Sequence, residues 1–166
     1  MEQLPQTTLI LALEDEYVWL GMKKEGFGSG KWNGYGGKVH EGESILEAAI
    51  REFKEETTAE LDPEDLLYVG FVDFTFKTKP HFNQRVNFYV AENWNGNISE
   101  TAEMRSERFP KKQIPWDDMW TGDDLFIPLM LDKTHVEGRI LFDGDDQEQH
   151  VVEAEFQKPE GYAPDI

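Results

Sequence analysis

An α/β fold, with a mixed sheet packed between helices in a single domain over residues 1–166, is what the sequence predicts. Three observations predict it. A strong amphipathic helix spans about residues 44 to 58, candidate strands lie before and after it, and a shorter helical stretch comes late, near Asp123. A sheet has two faces to cover, so strands on both sides of one helix and followed by another fit a sheet between helices. With 39% apolar and 13% aromatic residues in 166, the chain can bury a substantial core.

Taken in order, Thr7 to Leu13 alternates and then runs apolar, and Tyr17 to Met22 does likewise. Glu14-Asp15-Glu16 between them reads as the tight turn of a hairpin. Residues 26 to 37, GFGSGKWNGYGG, hold six glycines and are expected to form a loop. That loop has no Gly-Lys-Ser/Thr at P-loop spacing, and Gly28-Ser29-Gly30 is not a nucleophile elbow. Ser44 and Glu47 make a capping box, and no Pro or Gly interrupts the chain from there to about Thr58. Ile45, Leu46, Ala48, Ala49, Ile50 and Phe53 recur at helical spacing.

After the helix, Leu66 to Phe76 and Arg85 to Ala91 are strand candidates, and Asn93 to Asn97 is a turn. Arg105 to Phe109 is a short strand ended by Pro110-Lys111-Lys112. Ile114 to Met130 reads as a loop entering a short helix from about Asp123. Gly138 to Asp143 and His150 to Phe156 alternate around an acidic turn as a second hairpin, and residues 157–166 read as a loose tail.

A formal charge of −18 argues against a nucleic acid polymer as partner, because its phosphates would be repelled over much of the surface. A small anionic substrate is compatible with that charge if metal ions and a few local cations neutralise it. No apolar run approaches the length of a membrane span, and the N-terminus lacks the basic-then-apolar order of a signal peptide. With no Cys there is neither a disulfide framework nor thiol chemistry. A cytoplasmic monomer is expected. The four histidines (40, 81, 135 and 150) show no metal-ligand spacing.

The acids of the helix do not all fall where solvent would want them. At about 100° per residue, Glu47 and Lys54 lie opposite the apolar stripe, while Glu52, Glu55 and Glu56 gather on one flank of it. Glu56 points almost into the stripe. Carboxylates three and four apart repel one another, and at a buried edge they also lose solvation. A hard divalent ion such as Mg²⁺, which takes carboxylate and carbonyl oxygens and is completed by substrate phosphates, would hold them. The plain alternative is a solvated acidic face. The glycine turn ahead of the helix and the inward Glu56 weigh against it.

Gly37, five residues, Glu43, seven residues, then Arg51-Glu52-Phe53-Lys54-Glu55-Glu56 resembles the signature of the Nudix hydrolases, which cleave nucleoside diphosphates linked to another moiety. The resemblance implies an α/β/α sandwich with a mixed sheet, a small-molecule nucleotide substrate, and Mg²⁺, with Mn²⁺ as a substitute. It places the metal on Glu52, Glu55 and Glu56, with the Gly36 carbonyl and Glu103 completing the site. Glu56 would serve as coupled ligand and base, Arg51 would pair with Glu43 or another acid of the loop–helix unit, and Gly37 and Lys38 would lie at the phosphates. One departure stands out. The family's glycine after the Glu pair is Thr58 here, followed by Ala59 where a larger aliphatic is usual, so a changed helix exit is expected with the ligands upstream intact.

Further stretches, among them Gly21-Met22-Lys23-Lys24, Trp32-Asn33-Gly34, Glu103-Met104-Arg105 and Asp118-Met119-Trp120, resemble the MutT-like, 8-oxo-dGTP diphosphatase branch of that family. This implies hydrolysis of oxidised purine (deoxy)nucleoside triphosphates to monophosphate and pyrophosphate. It also implies base-pocket roles for Thr8, Lys23, Phe27, Asn33, Trp120 and the acids after it, Asp123 and Asp124. Trp120 and Phe27 would supply two sides of a stack worth about 1–3 kcal/mol per base. Asn33 offers both donor and acceptor. Guanine N7 is an acceptor that becomes N–H on oxidation at C8, so a carboxylate facing it would prefer the damaged base. Two neighbouring carboxyls could share a proton, with one donating to O6.

Related enzymes carry two adjacent Asp soon after the Trp, where this chain has Trp120-Thr121-Gly122-Asp123-Asp124. The pair corresponds either to Gly122 and Asp123 or to Asp123 and Asp124. Plain readings stand beside each assignment: Trp120 and Phe27 as core aromatics, Asn33 as a turn former, Lys23 as a surface lysine, Asp123 as an N-cap. Two other functions remain open, a Nudix hydrolase of another diphosphate-linked substrate and a catalytically silent nucleotide-binding module.

Overall fold

Alternate residues of the first strand are buried in opposite layers. In the computed structural model, which describes residues 3–145 and 148–157, β1 (Gln6–Glu14) sends Leu9, Leu11 and Leu13 into one apolar cluster and Ile10 and Ala12 into another. A strand buried on both faces must have a layer on each side. α1 (Ile45–Thr57) packs Ala49 and Phe53 against Ile10 and Ala12, and α2 (Asp123–Leu131) packs Phe126, Ile127 and Met130 into the cluster of the leucines. The result is the α/β/α sandwich that was expected.

Among the described residues the sheet has eight strands. β2 (Tyr17–Lys23) turns back antiparallel on β1. β4 (Leu66–Phe76) and β5 (Gln84–Ala91) are antiparallel to each other, and β5 runs parallel to β1. β7 (Val136–Gly144) runs parallel to β4, and β8 (Gln149–Gln157) closes one edge antiparallel to β7. β6 (Met104–Pro110) pairs with β2 at the other end. Both hairpins and the strand at 66–76 lie where the sequence placed them. Of the expected tail, Gln157 ends β8 and residues 158–166 lie outside the described residues, as do 146 and 147 of the acidic turn.

Two expectations are corrected. The glycine-rich segment is not a free loop beyond residue 31. Trp32–Asn33 forms β3 on Met22 and Gly21, Tyr35 exchanges hydrogen bonds with Ile10 at 2.6 and 2.9 Å, and the Thr8 N–H donates to the Gly37 carbonyl at 2.9 Å. Glycine is what permits this close approach, because a Cβ on Gly36 would stand 1.9 Å from the Thr8 carbonyl oxygen. The helix exit is also unchanged in form. Thr58 takes the left-handed conformation (φ 67°) that glycine usually supplies, and its N–H donates to the Lys54 carbonyl at 2.9 Å. The backbone route is kept with a β-branched residue at a cost of about 1–2 kcal/mol.

Candidate active site

The strip from Trp32 to Gly37 lies between β1 and α1 and holds two acids of the helix. The capping box is complete: Ser44 accepts from the Glu47 N–H at 3.0 Å, and the Glu47 carboxylate accepts from the Ser44 N–H at 3.1 Å. This fixes the helix start and therefore the direction of every later side chain. One turn apart, Glu52 and Glu56 reach successive glycines. A Cβ on Gly37 would lie 2.6 Å from the Glu52 carboxyl carbon, and the Gly36 N–H donates to Glu56 Oε1 at 2.8 Å. Thr8 pins the strip from beneath. Its hydroxyl donates to the Gly37 carbonyl at 3.4 Å and accepts from the Gly37 N–H at 3.3 Å.

Arg51 is the clasp of this unit. Its Nε and Nη2 donate to the two oxygens of Glu43 at 2.7 and 2.9 Å, Nη2 also donates to the Lys38 carbonyl at 3.0 Å, and Nη1 donates to Glu52 at 2.8 Å. The fork geometry suits a carboxylate, and Glu43 is drawn down to a pKa of about 2, chiefly by the guanidinium and then by the His40 N–H. Glu55 touches Arg51 only at 3.4–3.5 Å, and its side chain is 50% exposed. Glu56 differs from all of these. It is 4% exposed, and burial pushes its pKa up to about 8. The Gly36 N–H opposes the shift, Glu52 and Glu103 add to it, and Lys23 at the end of β2 draws it down. Lys23, Lys38 and Glu103 are themselves exposed.

At the far end of the strip, Trp32 bridges Met119 in parallel, which brings Trp120 alongside Asn33. The Asn33 side-chain oxygen accepts from the Gly34 N–H at 2.8 Å, so it does shape the turn. Phe27 and Trp120 do not flank a slot. Their centroids are 5.4 Å apart, the spacing of rings in direct contact, and Phe27 also stacks on Phe82 at 5.7 Å and 13°. The expected sandwich is corrected: Phe27, 72% exposed beside Gly26 and Gly28, gains apolar contact by leaning on its two neighbours.

From Phe82 the rings continue to Phe76 at 6.1 Å and from Phe76 to Phe142 at 5.1 Å. Phe142 lies 3.2 Å from where a Cβ of Gly122 would stand. Contacts thus run in a circuit from Phe27 through Phe82, Phe76 and Phe142 to the 120–123 segment, and back through Trp120. Asp123 sits in that segment, 4% exposed. Burial pushes its pKa up to about 8, a backbone hydrogen bond at Trp120 opposes this, and Asp124 adds to it. Asp123 is not the helix cap. Gly122 holds that position, and no side chain caps α2. Asp124 is exposed.

Residues 3–130 match the NUDIX domain family. The chain belongs to the Nudix family. This Nudix chain is 42% identical over 139 residues to the oxidized purine nucleoside triphosphate hydrolase of Mus musculus, a match covering 84% of the chain and 87% of that protein. The protein of the same description from Danio rerio is also 42% identical over 139 residues, with 84% and 87% covered. Among solved structures, a MutT protein from Bacillus halodurans superimposes with a TM-score of 0.74 at 20% identity, covering 92% of this chain and 97% of that one. That likeness shows the shared fold.

A Nudix site implies a divalent ion, and the donors here fit one by type. Glu52, Glu55, Glu56, Glu103 and the Gly36 carbonyl are all hard oxygens. The raised pKa of Glu56, with Glu52 and Glu103 acting on it, marks a place short of positive charge. Among the described residues no three His, Cys, Asp or Glu groups already converge as a metal cluster. Exposed Glu55 and Glu103 have the freedom to turn inward, whereas Glu56 and the strip are held. A surface groove lined by Met22, Lys23, Lys24, Ser29, Gly30 and Arg105 places three cations beside this end of the sheet.

Sequence reasoning missed Phe76, Phe82 and Phe142: Phe82 meets Phe76 from the β4–β5 connection, and Phe142 meets Phe76 through the non-sequential pairing of β4 with β7. It also missed Tyr35, fully buried, which donates to Ser106 at 2.9 Å and packs edge-on against Phe53. Its place in the alternation Trp32, Gly34, Gly36 against Asn33 and Tyr35 was the available signal.

Proposed function

We propose that this chain hydrolyses oxidised purine (deoxy)nucleoside triphosphates such as 8-oxo-dGTP to the monophosphate and pyrophosphate, with Mg²⁺ as the divalent ion. The observation that carries this reading is the strip 32–37. One end touches Met119 beside Trp120, and the other donates from Gly36 to Glu56. Four residues of extended chain span about 13 Å, so a base at one end and phosphates at the other suits a nucleotide. The named activity of the mouse and zebrafish relatives supports the same substrate.

Glu52, Glu55, Glu56, Glu103 and the Gly36 carbonyl would hold the ion. The chemistry it supplies when bound is neutralisation of phosphate charge and activation of water. Arg51 holds Glu43, Glu52 and the Lys38 carbonyl in place and has no hydrogen-bonding edge to spare for substrate. Lys23 and Lys38 supply local positive charge for a polyphosphate in a strongly acidic chain. Glu56, pinned at one oxygen by Gly36, takes the proton from the attacking water. Trp120, Phe27 and Phe82 provide ring faces for the base, and Asn33 and Asp123 face its polar edge. Thr8 acts by positioning Gly37.

A substrate panel with Mg²⁺ tests this. The kcat/KM for 8-oxo-dGTP should exceed that for dGTP by at least about tenfold, a margin one polar contact supplies, with monophosphate and pyrophosphate as products. No preference for the oxidised base would reject the reading. Binding without product from any nucleotide would favour a silent module.

A further inference from the structure

Among the described residues, one buried side-chain oxygen lacks a hydrogen-bond partner: Oδ2 of Asp123. A bare buried carboxyl oxygen costs free energy, and a ligand that supplies the partner gains it back. The strands under α2 turn Leu9, Leu11, Phe88 and Val90 toward the helix, and β7 adds Val136 and Phe142, all apolar. The charged group acting on Asp123 is Asp124 of its own helix. Asp123 directly follows Gly122, which packs on the Phe142 ring, so a ligand that reaches this carboxyl meets no cation beside it.

No second buried acid among the described residues stands next to it. Asp124 is exposed. At Gly122 the backbone has φ 96°, and a Cβ would stand 3.2 and 3.3 Å from the Phe142 ring and 3.5 Å from Val151. Both the left-handed backbone and the tight space oppose any side chain there.

We propose that Asp123 alone reads the polar edge of the base, donating one hydrogen bond and accepting one, and that Gly122 thereby makes the site selective for oxidised guanine over oxidised adenine. This rests on the substrate reading above. 8-Oxoguanine presents the O6 acceptor beside an N7–H donor, which one carboxylic acid matches through its O–H and its C=O. 8-Oxoadenine presents N6–H₂ and N7–H, two donors, so one of them faces the acid's own O–H. With Gly122 in place no neighbouring carboxylate offers the missing acceptor. Apolar burial favours the neutral acid. Ionisation would give two acceptors, the pattern that oxidised adenine needs, so the preference should weaken as pH rises.

The test is the ratio of kcat/KM for 8-oxo-dGTP over 8-oxo-dATP on one preparation with Mg²⁺, from about pH 6.5 to about pH 9.5, with dGTP alongside. A ratio is independent of the fraction of folded enzyme. The expected value is at least about tenfold near neutral pH, the discrimination one mismatched buried hydrogen bond supplies, falling several-fold at the alkaline end. Asp123→Asn presents one donor and one acceptor at every pH, so it should keep the preference and flatten its profile. Equal turnover of both oxidised purines, each above dGTP, overturns this inference and leaves the substrate reading intact. Neither rising above dGTP overturns the substrate reading instead. A slope that persists in Asp123→Asn belongs to the nucleotides and overturns the role of the acid.

Discussion

Glu56 and Asp123 are the two buried acids among the described residues, and burial pushes both to a pKa of about 8. Their neighbourhoods differ. Glu56 has the Gly36 N–H on one oxygen, Glu52 and Glu103 near it, and Lys23 in range. Asp123 sits on a helix packed into an apolar cluster, with one bare oxygen and no cation acting on it. The first environment collects negative charge, which in the proposed mechanism an incoming cation neutralises. The second keeps a proton and can donate it in a hydrogen bond. The same displacement from the ordinary carboxylate range thus serves two uses, and the neighbours decide which.

The sharpest way to separate the two is Glu56→Gln. The Gly36 hydrogen bond survives in the amide, so folding should be preserved while turnover falls by about 10²–10⁴-fold. Full activity in this variant would remove Glu56 from the chemistry. Next comes the strip that joins the two acids. Gly36→Ala places a methyl group 1.9 Å from the Thr8 carbonyl oxygen, a backbone atom held in the β1 pairing. A loss of about 3 kcal/mol or more in urea unfolding is expected, at the upper end for overpacking.

Asp123→Asn tests the other acid by its effect on stability. The folded pKa of Asp123 lies above its unfolded value, so the folded state holds a proton that the unfolded state has released between about pH 4 and about pH 8. Its contribution is present in full below that window and is lost as pH rises through it. Relative to the wild type, Asp123→Asn should therefore gain stability from acid to alkaline pH, by roughly 4 °C or more in Tm. A constant difference across that range would mean that the carboxyl is ionised in the fold. The smallest expected effect is at the helix exit. Thr58→Gly relieves a left-handed threonine and should raise stability by about 1 kcal/mol, read as a shifted denaturation midpoint with unchanged kcat.

The proposed catalytic half was legible in the sequence because its signals are local. Ser44 and Glu47 set the helix start, the apolar spacing sets its inner face, and that face alone puts Glu56 inward. The base half was less legible. Whether Gly122 or Asp124 stands beside Asp123 in the pair depends on one residue of register at the start of α2, which the spacing of the acids left open. The ring circuit depends on β4 lying beside β7, a pairing that no local pattern announces. The glycines of 26–37 read as a loop, whereas those of the strip, Gly34 and Gly36, serve close packing on β1. Thr58 shows the reverse error, a glycine position whose conformation survives the loss of glycine.

The parallel ladder of β1 on β5 sets Gln6 opposite Arg85 and Ala12 opposite Ala91. During synthesis the first strand must therefore wait, unpaired on one edge, until more than half of the polypeptide has emerged. Closure over so long an intervening segment is slow. The strip that carries Gly36 rests on that same first strand, so it acquires a firm support only after this late closure. Catalytic competence should accordingly appear later in folding than the 45–57 helix, whose contacts are local.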